Sequence, residues 1–266
     1  MLDFLIIKTR STKRGVVEVY PNFIIKKSKD LMIRGGDFYA IWVADRGLWS
    51  TDEEDVIQLI DREVEQWAEE NRSRINSDLK ILHMWDSESG MIDRWHKYWK
   101  MQMRDSYHSL DDNLIFSNRQ TTREDYATKR LPYPLCDGDI SAYDKLMNTL
   151  YDPDERAKIE WAIGCIISGD SKTIQKFMVL YGAAGTGKST ILNVIQQLFE
   201  GYYSTFDAKA LGSSNDSFAL EAFKSNPLIA IQHDGDLSRI EDNTRINSLV
   251  SHEEMTVNEK FKSAYT

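Results

Sequence analysis

Hydrophobic residues alternate or cluster at strand length in the first fifty positions and then change to helical spacing. Val16–Tyr20 and Asn22–Ile25 have the length and β-branched content of short strands. Phe38–Val43 and Gly47–Trp49, separated by a turn at Asp45-Arg46-Gly47, predict a hairpin. Beyond it Val56, Ile60, Val64 and Trp67 fall on one face of a helix, with Thr51 and Glu54 at capping-box spacing ahead of it. The acids of that helix, from Asp52 to Glu70, read as a solvated face. Leu79 to Tyr107 is helical in character and carries Trp85, Trp95, Tyr98, Trp99 and Tyr107. At helical spacing such a stripe suits a core, while exposed rings would suit stacking on single-stranded bases.

Leu131-Pro132-Tyr133-Pro134 interrupts regular structure and is the best linker candidate. A short helix is expected from Ser141 to Leu150. Asp152-Pro153-Asp154-Glu155 then starts another: a capping aspartate, proline in the first turn, and acids near the positive end of the dipole. Ile159, Ala162, Ile163, Ile166 and Ile167 supply its apolar face, and Gly169 stops it.

The most informative stretch comes next. Lys176-Phe177-Met178-Val179-Leu180-Tyr181 reads as a buried parallel strand, and it runs directly into Gly182-Ala183-Ala184-Gly185-Thr186-Gly187-Lys188-Ser189. This is the pattern G-x-x-x-x-G-K-[ST], followed by Thr190 and a helical stripe of Ile191, Leu192, Val194, Ile195, Leu198 and Phe199. Gly182, Gly185 and Gly187 allow a backbone curl whose N–H groups point inward. The helix adds its positive end, so the loop becomes a polyphosphate pocket. Lys188 is expected at the β- and γ-phosphates of ATP, and the Ser189 hydroxyl on Mg²⁺. Downstream, Pro227-Leu228-Ile229-Ala230-Ile231 predicts a buried strand that delivers Asp234 and Asp236 at its C-terminal edge. Asp234 is assigned the metal role and Asp236 the attacking water, although an ordinary acidic turn gives the same pattern. Lys260 and Lys262 flank Phe261 at alternating positions, an arrangement open to a DNA-facing loop or a solvated edge.

Composition narrows this reading without redirecting it. The chain has 266 residues, 42 acidic against 33 basic, and a formal net charge of −9. Nucleic acid must therefore be met by locally concentrated positive charge. Residues 1–36 are such a region, with eight basic residues against three acidic ones, open to a nucleic-acid-facing arm or a solvated edge strand. Cys136 and Cys165 are far apart and lack metal-ligand spacing, as do His83, His96 and His108, which fits a reduced intracellular setting. No apolar run is long enough to span a membrane.

Together GAAGTGKS, LIAIQHDGD and the closing VSHEEMTVNEKFKSAY resemble the superfamily 3 helicases, more narrowly the phage and poxvirus-type primase-helicases. The resemblance implies an AAA+-like α/β P-loop NTPase with an incomplete parallel sheet, preceded by an α+β, mainly helical N-terminal region. The expected division is residues 1–135 for that region, 136–172 for a helical collar, and 173–266 for the ATPase domain. It implies a cytoplasmic, ATP- and Mg²⁺-dependent replication motor that assembles as a hexameric ring of copies of itself and translocates on single-stranded DNA beside other replication proteins. Lys260 or Lys262 would enter the channel. The family's polar sensor strand and arginine finger are expected beyond Thr266, so weak turnover by this chain alone is expected. A packaging-type P-loop motor and a non-catalytic DNA- or partner-binding protein are the competing expectations.

Overall fold

A computed structural model describes residues 2–24, 27–34, 38–101, 108–213, 218–224, 227–235, 243–253 and 255. The chain divides into two compact units. The first comprises Met1–Leu110 with Gln120–Thr128, and the second Asp111–Arg119 with Lys129–Thr266.

In the first unit β1 (Leu5–Ser11) pairs antiparallel with β2 (Val17–Phe23), and β2 pairs parallel with β6 (Leu79–Ile81). The two strands expected at 16–20 and 22–25 are thus one, running through Pro21. A proline is tolerated there because β6 meets β2 only at Val17–Val19, so Pro21 lies beyond that ladder. A second sheet holds β3 (Leu31–Arg34), β4 (Phe38–Val43) and β5 (Leu48–Ser50), all antiparallel. The expected hairpin is β4–β5, with Val43 opposite Leu48 and Gly47 at φ +62° in the turn.

Helix α1 (Glu53–Asn71) buries Val56, Ile60 and Val64 as its spacing predicts. Its cap is Asp52, which accepts the Glu54 amide at 3.0 Å, one residue later than the Thr51 box. Asp61 is the exception to the solvated acid face: it is buried and accepts the Met84 amide at 2.6 Å and the Trp85 amide at 3.3 Å. Among the described residues, the long helix expected from Leu79 is limited to α2 (Met91–Met101). Residues 79–90 instead form β6 and a turn held by Asp86 and Ser89. Trp95, Tyr98 and Trp99 are buried among Phe4, Phe23 and Tyr39, so the aromatic stripe is core. Trp85 alone is out in solvent at 69% exposure, and Tyr107 lies outside the described residues. β1 is an edge strand carrying exposed Lys8 and Arg10, and Arg10 is paired with Glu18 at 2.5 Å. That is the arrangement of a charged, solvated edge.

The second unit contains α3 (Ser141–Leu150), α4 (Pro153–Ser168), α5 (Ser171–Ile174), α6 (Lys188–Leu198), β7 (Tyr203–Thr205), α7 (Ala208–Leu211), β8 (Ile229–Ile231) and α8 (Thr244–Val250). Asp152 caps α4 through the Glu155 amide at 2.9 Å, and Gly169 closes it at φ +76°. Of the expected apolar face only Ile159 is fully buried, and Ile167 is exposed. The supposed linker at 131–134 is tied in: Leu131 is buried, its amide donates to Ile115 O at 2.7 Å, and Ser117 N donates to Tyr133 O at 3.1 Å. One apolar cluster gathers Leu131, Met147, Ile159, Ile191, Ile195, Phe199, Tyr202 and Ile231. The helical segment expected as a separate collar therefore shares its core with the residues that flank the loop 182–189.

Strand β7 pairs parallel with β8, Tyr203 opposite Ile229. The stretch 176–181, expected as a strand of the same sheet, has no strand pairing among the described residues. Phe177, Met178, Val179 and Tyr181 are exposed there, and only Leu180 reaches the core cluster. Its sequence has the strand pattern, but a strand is secured only by a neighbour that completes its ladder.

Candidate nucleotide-binding site

The loop 182–189 is shaped by its glycines at one end and by a helix at the other. Gly185 and Gly187 take left-handed backbone at φ +80° and +81°, which side chains rarely adopt. Gly187 is also the cap of α6, and no side chain caps that end of the helix. The amides of its first turn, at Lys188, Ser189 and Thr190, therefore face outward with the positive end of the dipole behind them. Ser189 and Thr190 are exposed, as are Gly182, Ala183, Ala184 and Gly185. Thr186 is exposed too, its hydroxyl donating to Ala183 O at 3.0 Å.

Lys188 folds back over this curl. Its Nζ donates to Gly182 O at 2.9 Å and to Ala183 O at 2.6 Å, and lies 3.3 Å from Thr186 Oγ1. The ammonium thus closes the loop on itself, at the place where the sequence pattern expects phosphate oxygens. Leu150 and Tyr151, which no linear spacing had singled out, border the loop at Gly187. The Tyr151 hydroxyl donates to Gly187 O at 3.4 Å.

Asp234 stands exposed in the turn after β8. The turn is held by Gln232, whose Oε1 accepts the Ala208 amide at 3.0 Å and whose Nε2 donates to Asp234 O at 3.3 Å. The sequence pattern marks the acids of this turn but not Gln232, whose bracing role depends on the distant Ala208 amide. Among the described residues no hydrogen bond or ion pair joins Asp234 to Lys188 or Ser189. What brings the two segments into one unit is their shared apolar cluster, with Leu180 before the loop, Ile191 and Ile195 after it, and Ile229 and Ile231 before Asp234. Asp236, Lys260 and Lys262 lie outside the described residues.

Among the described residues no three His, Cys, Asp or Glu side chains cluster as a metal cage. Mg²⁺ beside a triphosphate needs none, because it takes one or two protein ligands plus phosphate oxygens and waters. Ser189 and Asp234 are the residues that the sequence pattern offers for that role. None of the described helices is long and apolar enough to cross a membrane.

Residues 180–266 match a family model. Its description is a family of unknown function, DUF5906. The match opens at Leu180, just before the loop, and takes in the Asp234 segment, so it covers both parts of the candidate site and leaves the first unit outside it. No curated protein and no solved structure matches the chain.

Proposed function

We propose that the second unit binds ATP·Mg²⁺ at Gly182–Ser189 and is the nucleotide-hydrolysing part of a DNA motor of the superfamily 3 helicase type. The observation that carries this reading is the curl ending at Gly187: two left-handed glycines, an uncapped helix start, and a lysine bent over both. A triphosphate takes the place of the loop carbonyls around Lys188. Those carbonyls are neutral, whereas each phosphate charge about 4 Å from an ammonium is favoured by about 4 kcal/mol at an effective dielectric near 20. Ser189 and Asp234 hold the cation, which neutralises charge on the transferred phosphoryl group. Asp236 polarises the attacking water, Lys260 or Lys262 meets the phosphates of single-stranded DNA, and copies of the chain assemble around that strand. These last roles rest on the resemblance of the motifs to the helicase family.

Isothermal titration of Mg·ATP into the wild-type chain and into Lys188→Ala tests the core of the proposal. Removal of the ammonium is expected to weaken binding at least tenfold, about 1.4 kcal/mol. Equal affinity of the two proteins would end it.

A further inference from the structure

Gly187 is the tightest of the loop's three glycines. A Cβ built on it would lie 2.7 and 2.8 Å from the two Cδ atoms of Leu150 and 3.1 Å from its Cγ. Gly185, by contrast, has nothing within 4 Å, and Gly182 has only Thr186 Oγ1 at 3.4 Å, from within the loop itself. Of these glycines, the first two are open and the third is met from outside the loop. The Gly187 carbonyl accepts the Ile191 amide at 3.0 Å, the first rung of α6, and also faces the Tyr151 hydroxyl.

The turn that carries Leu150 and Tyr151 is itself firmly held. It joins α3 to α4, and Arg156 of α4 bonds Asp144 at 2.5 Å and Asn148 Oδ1 at 2.9 Å, both on α3. Met147, fully buried one turn before Leu150, shares its cluster with Ile159 of α4 and with Ile191 and Ile195 of α6. Side-chain packing and hydrogen bonds thus run from a two-helix hairpin to the backbone of one glycine.

We propose that the α3–α4 turn is a brace that sets the phosphate loop, with Leu150 and Tyr151 as positioning residues for nucleotide binding although neither would touch the phosphates. This rests on the reading of 182–189 as a phosphate loop. Phosphate binding by backbone amides needs their directions fixed, and Gly187 is where the curl turns into the helix that supplies those amides. Leu150 blocks the outward shift of that residue, while the Tyr151 hydroxyl steadies its carbonyl. Shortening Leu150 leaves every group of the loop in place but frees its pivot.

The test is Mg·ATP titration of the full chain, with a melting curve for each variant. Leu150→Ala is expected to weaken ATP about tenfold or more, the scale at which ångström misplacement acts, and Leu150→Met to restore most of it. Tyr151→Phe is expected to weaken it less. A coupling readout separates positioning from general damage. Gly187→Ala drives its methyl into Leu150, and adding Leu150→Ala removes that obstacle, so the double variant should bind ATP more tightly than Gly187→Ala alone. Additive losses, or wild-type affinity in Leu150→Ala while Lys188→Ala has lost ATP, would overturn the brace and leave the phosphate site standing. Wild-type affinity in Lys188→Ala would remove the site, and the brace with it.

Discussion

Tyr202 offers the sharpest test of how the second unit is held together. It follows α6, the helix that begins at Gly187, and its ring is fully buried. Its hydroxyl donates to Lys129 O at 2.8 Å and accepts the Ile115 amide at 3.2 Å, so one atom ties two distant segments to the end of that helix. Tyr202→Phe removes the oxygen and keeps the ring. The buried Ile115 amide then loses its partner, at a cost of about 1–3 kcal/mol. With about 2 kcal/mol lost, the melting midpoint of this unit should fall by roughly 4–8 °C. A second signature comes from pH. Burial pushes the phenol up from its ordinary 10.0 to about 12, with the nearby Asp111 charge acting in the same direction. Because the folded pKa is the higher one, the stability tied to the neutral phenol is complete below pH 10 and is lost as pH rises from 10 to 12. Two pKa units correspond to about 3 kcal/mol. Tyr202→Phe lacks that loss, so the variant should start below the wild type at pH 8 and overtake it near pH 11–12. Calorimetry, which can resolve two separately melting units, reads the midpoints, and hydrogen exchange at the Ile115 amide reports this site directly. Unchanged midpoints at pH 8 together with parallel pH curves would refute the assignment.

Further outcomes follow from other sites. Trp95→Ala empties the centre of the first unit, where the indole meets Phe4, Phe23, Tyr39 and Tyr98, and should destabilise it by about 3–5 kcal/mol in denaturant titration. The same change should leave ATP affinity untouched, since the loop belongs to the other unit. Burial raises the Asp61 carboxyl above its ordinary value, against the pull of the Met84 and Trp85 amides. The folded protein therefore holds that proton longer than the unfolded chain, so its stability should decline as pH climbs from about 4 through the raised pKa. Asp61→Asn should flatten that decline in acid-range unfolding curves, and an unaltered slope would count against it.

Local chemistry was legible in the sequence wherever one element suffices to determine it. The cap and stop of α4 at Asp152 and Gly169, the β4–β5 turn at Gly47, and the apolar stripe of α1 all depend on neighbours a few residues away. The glycine and lysine pattern of 182–189 was legible for the same reason. Its curl is local, and the structure finds left-handed backbone at Gly185 and Gly187. What the sequence concealed depends on distant partners. Residues 176–181 have strand composition, but pairing is not encoded within six residues. Leu79–Ile81 is helical in pattern yet forms β6 because β2 offers it a parallel edge. Asp61 resembled its solvated neighbours, and only the approach of the Met84 and Trp85 amides distinguishes it.

The contrast between a well-formed loop and a 176–181 stretch that has no strand partner among the described residues says where the loop gets its shape. In a phosphate loop built on a wide sheet, the strand before it would fix one end and the helix after it the other. Here the leading segment contributes only Leu180 to the core, and four of its apolar neighbours are exposed. The order therefore comes from the trailing side: Ile191 and Ile195 anchor α6 in the same cluster as Met147, and Leu150 packs on Gly187. Loss of a contact on that side should accordingly weaken nucleotide binding more than an equally large truncation at Phe177 or Val179. A variant at 177 that weakened ATP more than Leu150→Ala would place the shaping force in the leading segment instead.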